Sequence, residues 1–310
     1  MLAAWLVVDK VVTLARPEPA VGRWRSAAGF ESYREAYRQT MASLPEPTRT
    51  LDVRTGYGTV RVYEWAAPDG GLPVVLLPGI RSGAPMWGEN LTSWIGKRTI
   101  YAMDAIGDAG LSTQSVPLEK FDDQAEWVEQ TLSGLGVERA HTVGHSFGGA
   151  TATVHALHHP DRVASLSLLE PVMVLRPFPA SIYLWSTLLL TPVPQQWKDR
   201  ALAEIGGTTI EEVRRRTPLS EMIDRGSAQY VAPTITPRTL SDEEWRSMDV
   251  PLRVDIASDK SLAGGEAAAE RARGLAKGPV TVWPDTTHSL PMQAADRLGV
   301  ELEAYWSRHD

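Results

Sequence analysis

Thr142-Val143-Gly144-His145-Ser146-Phe147-Gly148-Gly149-Ala150 is the stretch on which the reading of this chain turns. Before it, the apolar residues 140–143 read as a buried strand. After it, residues 150–158 read as a helix that stops ahead of Pro160. Strand, G-x-S-x-G, helix is the setting of a nucleophile elbow, a turn so sharp that Ser146 sits in strained backbone with its hydroxyl held above the sheet edge. Gly144 and Gly148 suit it because a side chain at either would collide with the adjoining strand or helix. The competing account is a glycine-serine turn formed by chance, and the rest of the chain decides between them.

On either side of that stretch the chain alternates between strand and helix. Residues 50–53 and 59–64 flank Gly56-Tyr57-Gly58, a hairpin signature. Residues 74–77 are wholly apolar, as in a central strand buried on both faces, and end at Pro78-Gly79-Ile80-Arg81-Ser82-Gly83. Residues 99–103 form the next strand, ending at Asp104 and the turn Ile106-Gly107-Asp108-Ala109-Gly110. A helix over 122–135 leads to the elbow, and a strand over 163–169 delivers Glu170-Pro171. Such alternation predicts an α/β fold with a mostly parallel sheet covered by helices on both faces.

Between Pro171 and Met248 the rhythm breaks. Prolines recur at 171, 177, 179, 192, 194, 218, 233 and 237, and no strand alternation appears. Tyr183, Trp185, residues 188–190 and Trp197 are too apolar for a disordered loop, so the segment reads as a helical lid inserted over the strand ends. Strand rhythm resumes at 251–257, followed by a helix over 265–276, a last strand over 280–283 and a closing helix over 291–306. The expected division is an N-terminal helical extension (1–49), a core (50–170 and 249–310) and a lid (171–248).

The 310 residues carry a net charge of −7 with 22% charged residues, so no basic surface argues for nucleic acid. No cysteine is present, which excludes disulfides, thiolate metal sites and a cysteine nucleophile. Eleven tryptophans against four phenylalanines suggest that some tryptophans line an apolar cavity. The apolar runs at 2–8 and 11–14, split by Asp9-Lys10, are too short to span a bilayer and lack the basic lead of a signal peptide. They read as an amphipathic helix packed on the body, with peripheral membrane contact the weaker alternative, and a cytoplasmic location is expected. A second helix runs from Glu31 to Ser43.

The turn Leu76-Leu77-Pro78-Gly79, the segment from Asp104 to Ser112, the Gly144-His145-Ser146-Phe147-Gly148 elbow and His288 after the final strand together resemble the α/β-hydrolase superfamily across the chain beyond residue 50. The Tyr101-Ala102-Met103-Asp104-Ala105-Ile106-Gly107-Asp108 stretch and the apolar N-terminus are similar to actinobacterial esterase-like hydrolases. That resemblance implies a serine nucleophile, Ser146, followed in the chain by an acid and then a histidine. Downstream of the lid only His288 and His309 qualify as the base, and His288, in Pro284-Asp285-Thr286-Thr287-His288, occupies the expected place after a strand. In such families the acid follows the first strand after the lid in a Gly-x-x-Asp turn. Here that turn reads Ala257-Ser258-Asp259-Lys260, so Asp259 is the expected acid although it comes one residue early. Glu170, placed as the acid is in hydrolases resembling haloalkane dehalogenases, is the alternative, and Asp285 a remote third.

The resemblance places the oxyanion hole at the backbone N–H groups of Ile80 and Phe147. Pro78 stands where many relatives carry histidine, a change that removes neither donor. Arg81, Trp87, His145 and Trp185 are candidate pocket residues; Arg81 either meets a substrate carboxylate or is a solvated loop residue. His155, His158 and His159 have helical spacing, but at a helix end histidines suit the dipole, so no metal and no cofactor is expected. The function expected is a serine hydrolase cleaving a small to medium apolar carboxylic ester. A non-hydrolytic lyase or cyclase using the same pocket is the alternative, and a non-catalytic binding protein the third. Haloalkane dehalogenation requires aspartate at the elbow and is disfavoured.

Overall fold

The computed structural model describes residues 20–189, 191–233, 235–275 and 277–310. The helix expected over residues 2–14, Leu190 and Ala276 lie outside them. In chain order the elements up to the elbow are β1 (Arg23–Trp24), α1 (Ala27–Met41), β2 (Arg49–Thr55), β3 (Gly58–Trp65), β4 (Val74–Leu77), a 3₁₀ turn (Ala84–Trp87), α2 (Gly88–Trp94), β5 (Ile100–Met103), β6 (Thr113–Gln114), α3 (Asp123–Leu135) and β7 (Ala140–His145). After the elbow come α4 (Phe147–His158), β8 (Val163–Leu169), α5 (Ala180–Leu188), α6 (Gln195–Gly206), α7 (Ile210–Arg214), α8 (Pro218–Gln229), β9 (Tyr230–Val231) and α9 (Asp242–Ser247). The chain closes with β10 (Leu252–Ala257), α10 (Gly265–Leu275), β11 (Val280–Trp283), α11 (Leu290–Gln293) and α12 (Ala295–Trp306).

The main sheet runs β11-β10-β8-β7-β4-β5-β3-β2, with β6 pairing the start of β3. Strands β4, β5, β7, β8, β10 and β11 are mutually parallel, and β2–β3 and β3–β5 are antiparallel. Successive side chains of a strand face opposite sides of the sheet, and β4 shows what this does with an all-apolar run. Val75 and Leu77 join the core under α3, α4 and α10, with Trp127, Val154 and Ala272. Val74 and Leu76 join the other core, under α2 and α12, with Trp94, Leu302 and Trp306. Both faces are therefore dry, and β7 is set between neighbours that fix its C-terminal end.

Residues 171–248 hold α5 to α9 and β9. The two-residue β9 pairs antiparallel with β1, a contact too short to leave a periodic signal. Helix α1 starts at Ala27 because Ser26 caps it, accepting from the Gly29 N–H at 3.0 Å. That start lies four residues ahead of the expected one. The closing helix is broken at Ala294 into α11 and α12 rather than continuous.

Leu76 is fully buried in the central strand and Val300 is 69% exposed on α12. Leu76→Ala is expected to cost about 2–5 kcal/mol, seen as a lower urea midpoint at unchanged slope. Val300→Ala is expected to stay within about 0.5 kcal/mol of the parent.

Candidate active site

Ser146 joins β7 to α4 with φ 56° and ψ −119°, in left-handed space that a serine enters only where its surroundings enforce it. The enforcement is visible. A Cβ on Gly144 would lie 2.3 Å from the Gly148 carbonyl oxygen, and one on Gly148 would lie 2.1 Å from that of Leu77. Ser146 N–H donates to the Leu169 carbonyl at 3.1 Å, tying the turn to the end of β8.

The Ser146 hydroxyl lies 2.9 Å from His288 Nε2, and His288 Nδ1 lies 2.9 Å from Glu170 Oε2. A carboxylate only accepts, so Nδ1 carries the proton and Nε2 is left to accept from the serine. Asp259, the acid expected from the sequence, is not there. Its side chain is exposed, it accepts from Ser258 Oγ at 3.2 Å, and its backbone N–H bonds the Thr286 carbonyl. Asp285 is likewise exposed.

Glu170 is fully buried at the end of β8, the strand beside the elbow strand, and holds φ 50°. Its Oε1 accepts from Ala257 N–H at 2.8 Å and Ser261 Oγ at 2.7 Å, and its Oε2 from Leu262 N–H at 3.0 Å. The end of β10 and the loop after it thus supply donors to Glu170 and no carboxylate to His288. Buried carboxylates persist where such donors replace water. His288 is held further by its own N–H to the Gly207 carbonyl at 2.9 Å. Gly207 has φ 58°, and a Cβ there would meet His288 Cβ at 2.6 Å, so the α6–α7 turn packs directly on the histidine.

The loop carrying Ile80 is pinned by two aspartates, Asp104 fully buried and Asp108 half-buried. Asp108 accepts the Arg81 N–H at 2.5 Å and lies 3.1 Å from its guanidinium. Asp104 accepts from Ala84 N–H, Leu111 N–H and the Tyr37 hydroxyl. Burial raises the pKa of both carboxyls. Arg81 is 1% exposed, so it is neither a solvated loop residue nor open to a substrate carboxylate. The N–H of Ile80 donates to no other described group, and Phe147, first residue of α4, has no intrahelical acceptor for its own.

Three other expected pocket residues are placed elsewhere. Trp87 is fully buried in the core beneath α2. Trp185 lies on α5 against the opposite core, with Arg200 5.6 Å from its ring. His145 is buried behind the elbow, and its Nε2–H donates to the His288 carbonyl at 2.9 Å. Burial, then the neighbouring His288, push its pKa down to about 3, so it stays neutral. His155, His158 and His159 each face a separate carboxylate of α3 or its N-cap: Glu129, Asp122 and Glu126. A cavity of about 40 Å³ opens beside Ile80 and Phe147. Ser261 and Gly207 escaped the sequence reading; the Gly206-Gly207 pair inside the insert was the available signal for the latter.

A family model described as the alpha/beta hydrolase fold matches residues 73–206. Carboxylesterase YbfK of Bacillus subtilis is 26% identical over 255 residues, covering 81% of this chain and 84% of the relative. The uncharacterized carboxylesterase nap of the same organism is 30% identical over 151 residues, 49% of this chain and 50% of the relative. The crystal structure of naproxen esterase (carboxylesterase NP) from Bacillus subtilis superposes with a TM-score of 0.82 at 22% identity, over 91% of this chain and 99% of that one. Fold and comparisons agree on an α/β-hydrolase fold for this chain. Among proteins of that fold it is carboxylesterase-like. Among the described residues, no helix is long and apolar enough to cross a membrane.

The neutral, buried His145 makes stability depend on acid. Above its unfolded value of about 6.5 it is neutral in both states and contributes nothing. As pH falls from there toward about 3, the unfolded chain binds a proton that the folded one refuses, so stability falls. His145→Gln is expected to lower the melting temperature at pH 7 yet to lose less than the parent between pH 7 and pH 4.5. Parallel pH profiles would contradict this.

Proposed function

We propose that the protein hydrolyses carboxylic esters through an acyl-enzyme on Ser146. The observation that carries this reading is the unbroken line from Glu170 through His288 to the Ser146 hydroxyl, both links at 2.9 Å. His288 Nε2 takes the serine proton as Oγ attacks the ester carbonyl, and Glu170 orients the ring and stabilises the imidazolium. The Ile80 and Phe147 amides hold the oxyanion. His288 then gives its proton to the departing alcohol, and water attacks the acyl-enzyme by the same route in reverse.

The carboxylesterases similar to this chain support ester chemistry, and the narrow, largely apolar cavity supports a small to medium apolar acyl group. Residues 171–248 act as a lid in this reading, supported by the contact of Gly207 with His288 and by Pro233 and Ile235 on the cavity wall. The non-hydrolytic alternative rests on the irregular turn at 257–260 and on Pro78, and the donors which that loop gives Glu170 offer another account of the first.

Ser146→Ala is expected to abolish turnover of p-nitrophenyl acetate and labelling by a serine-directed organophosphonate. Glu170→Gln is expected to lower kcat by about 10²–10⁴-fold and Asp259→Asn to leave it within about twofold. Full activity in Ser146→Ala, or a larger loss in Asp259→Asn than in Glu170→Gln, would overturn the assignment.

A further inference from the structure

The cavity beside the Ile80 and Phe147 amides has mostly apolar walls and a few polar side chains that differ in what they have left to offer. Asp108 is committed to Arg81 and Ala109. Gln114 is committed too, its oxygen to the Gly22 N–H and its nitrogen to the Val116 carbonyl. Gln124 is not. The indole N–H of Trp127 can only donate, so the atom 2.5 Å from it must be the Gln124 oxygen. That fixes the orientation of the amide and leaves its NH₂ group, with two hydrogens, without a described partner on the cavity wall. The hydroxyl of Thr151, on α4 and lining the same cavity, also bonds to no described group. Neither residue is more than a tenth exposed, so each loses water when the cavity fills and needs a partner in whatever fills it.

Which half of a substrate enters follows from the chemistry, given the serine-hydrolase reading proposed above. His288 must protonate the leaving alcohol, so the alcohol lies toward His288. The cavity is bounded by Ile80, Phe147 and Gly148 and by no residue of the His288 loop, so it receives the acyl chain. Thr151 stands on α4 five residues beyond Ser146, about 8–9 Å between Cα atoms at helical rise and radius. Subtracting a hydrogen bond of about 3 Å leaves roughly four single bonds of extended chain. We infer that Gln124 and Thr151 form a donor site for the far end of the acyl group, selecting slender acyl chains that carry a carbonyl or ether oxygen near the fourth carbon.

The test compares p-nitrophenyl 4-oxopentanoate with p-nitrophenyl 4-methylpentanoate, in which a methyl replaces the ketone oxygen at similar shape. The wild-type enzyme is expected to favour the oxo ester in kcat/KM by about tenfold or more. Thr151→Val should cut that ratio several-fold. Gln124→Glu, assayed at alkaline pH where the new carboxyl is ionised, keeps an oxygen for Trp127 but loses the donors, and should cut the ratio by about tenfold. Taking the ratio of two esters within each protein cancels any difference in folded fraction, and comparing ratios between proteins cancels the esters' intrinsic reactivity. A wild-type ratio near one, or a ratio unmoved in both variants, overturns the inference. Organophosphonate labelling of Ser146 separates the two levels: labelling with a flat ratio sinks the donor site alone, whereas absence of labelling sinks the hydrolase reading with it.

Discussion

The Glu170 carboxylate, sealed from water, must satisfy its oxygens from within the protein, and the surrounding architecture supplies that need. Three backbone amides and a serine hydroxyl from the end of β10 and the loop after it bond it from one side, and His288 bonds it from the other. An ionised carboxylate buried without them would be strongly unfavourable. With them it is a fixed negative point whose position sets the imidazole. The parallel order β10-β8-β7 brings the three contributing strand ends side by side, so Glu170, the donors around it and Ser146 emerge at one edge of the sheet.

From that point the site is braced outward. The insert reaches back through Gly207 to the backbone of His288, and His145 holds the same residue's carbonyl from beneath. On the opposite side, Asp104 and Asp108 fasten the loop that carries Ile80, the first of them with help from Tyr37 of α1. The N-terminal helix therefore bears on the loop proposed to hold the oxyanion, though it lies far from the elbow in sequence.

Much of this was legible in the chain itself. The elbow, the all-apolar β4 and the alternation that predicts a parallel sheet are local signals, because hydrophobic period and glycine placement need no tertiary partner. Ser146 and His288 were legible for the same reason, each standing directly after a strand. The acid was not. Asp259 and Glu170 each follow a strand, and what separates them is whether the neighbouring loop turns its amides inward, a property of three-dimensional packing that one sequence does not display. Arg81 is a related case: an arginine in a glycine-rich loop looks solvated, and the aspartate that holds it stands 27 positions away. Trp87 and Trp185 show only aromatic character in the sequence, and in the fold the first is buried in one core and the second packs against the other.

Proton NMR of the His288 ring most directly tests whether Glu170 governs this site. The geometry predicts a strongly deshielded Nδ1 proton, well downfield of the amide region, that shifts upfield or vanishes in Glu170→Gln and persists in Asp259→Asn. A resonance indifferent to Glu170→Gln, or one lost in Asp259→Asn, would contradict the account.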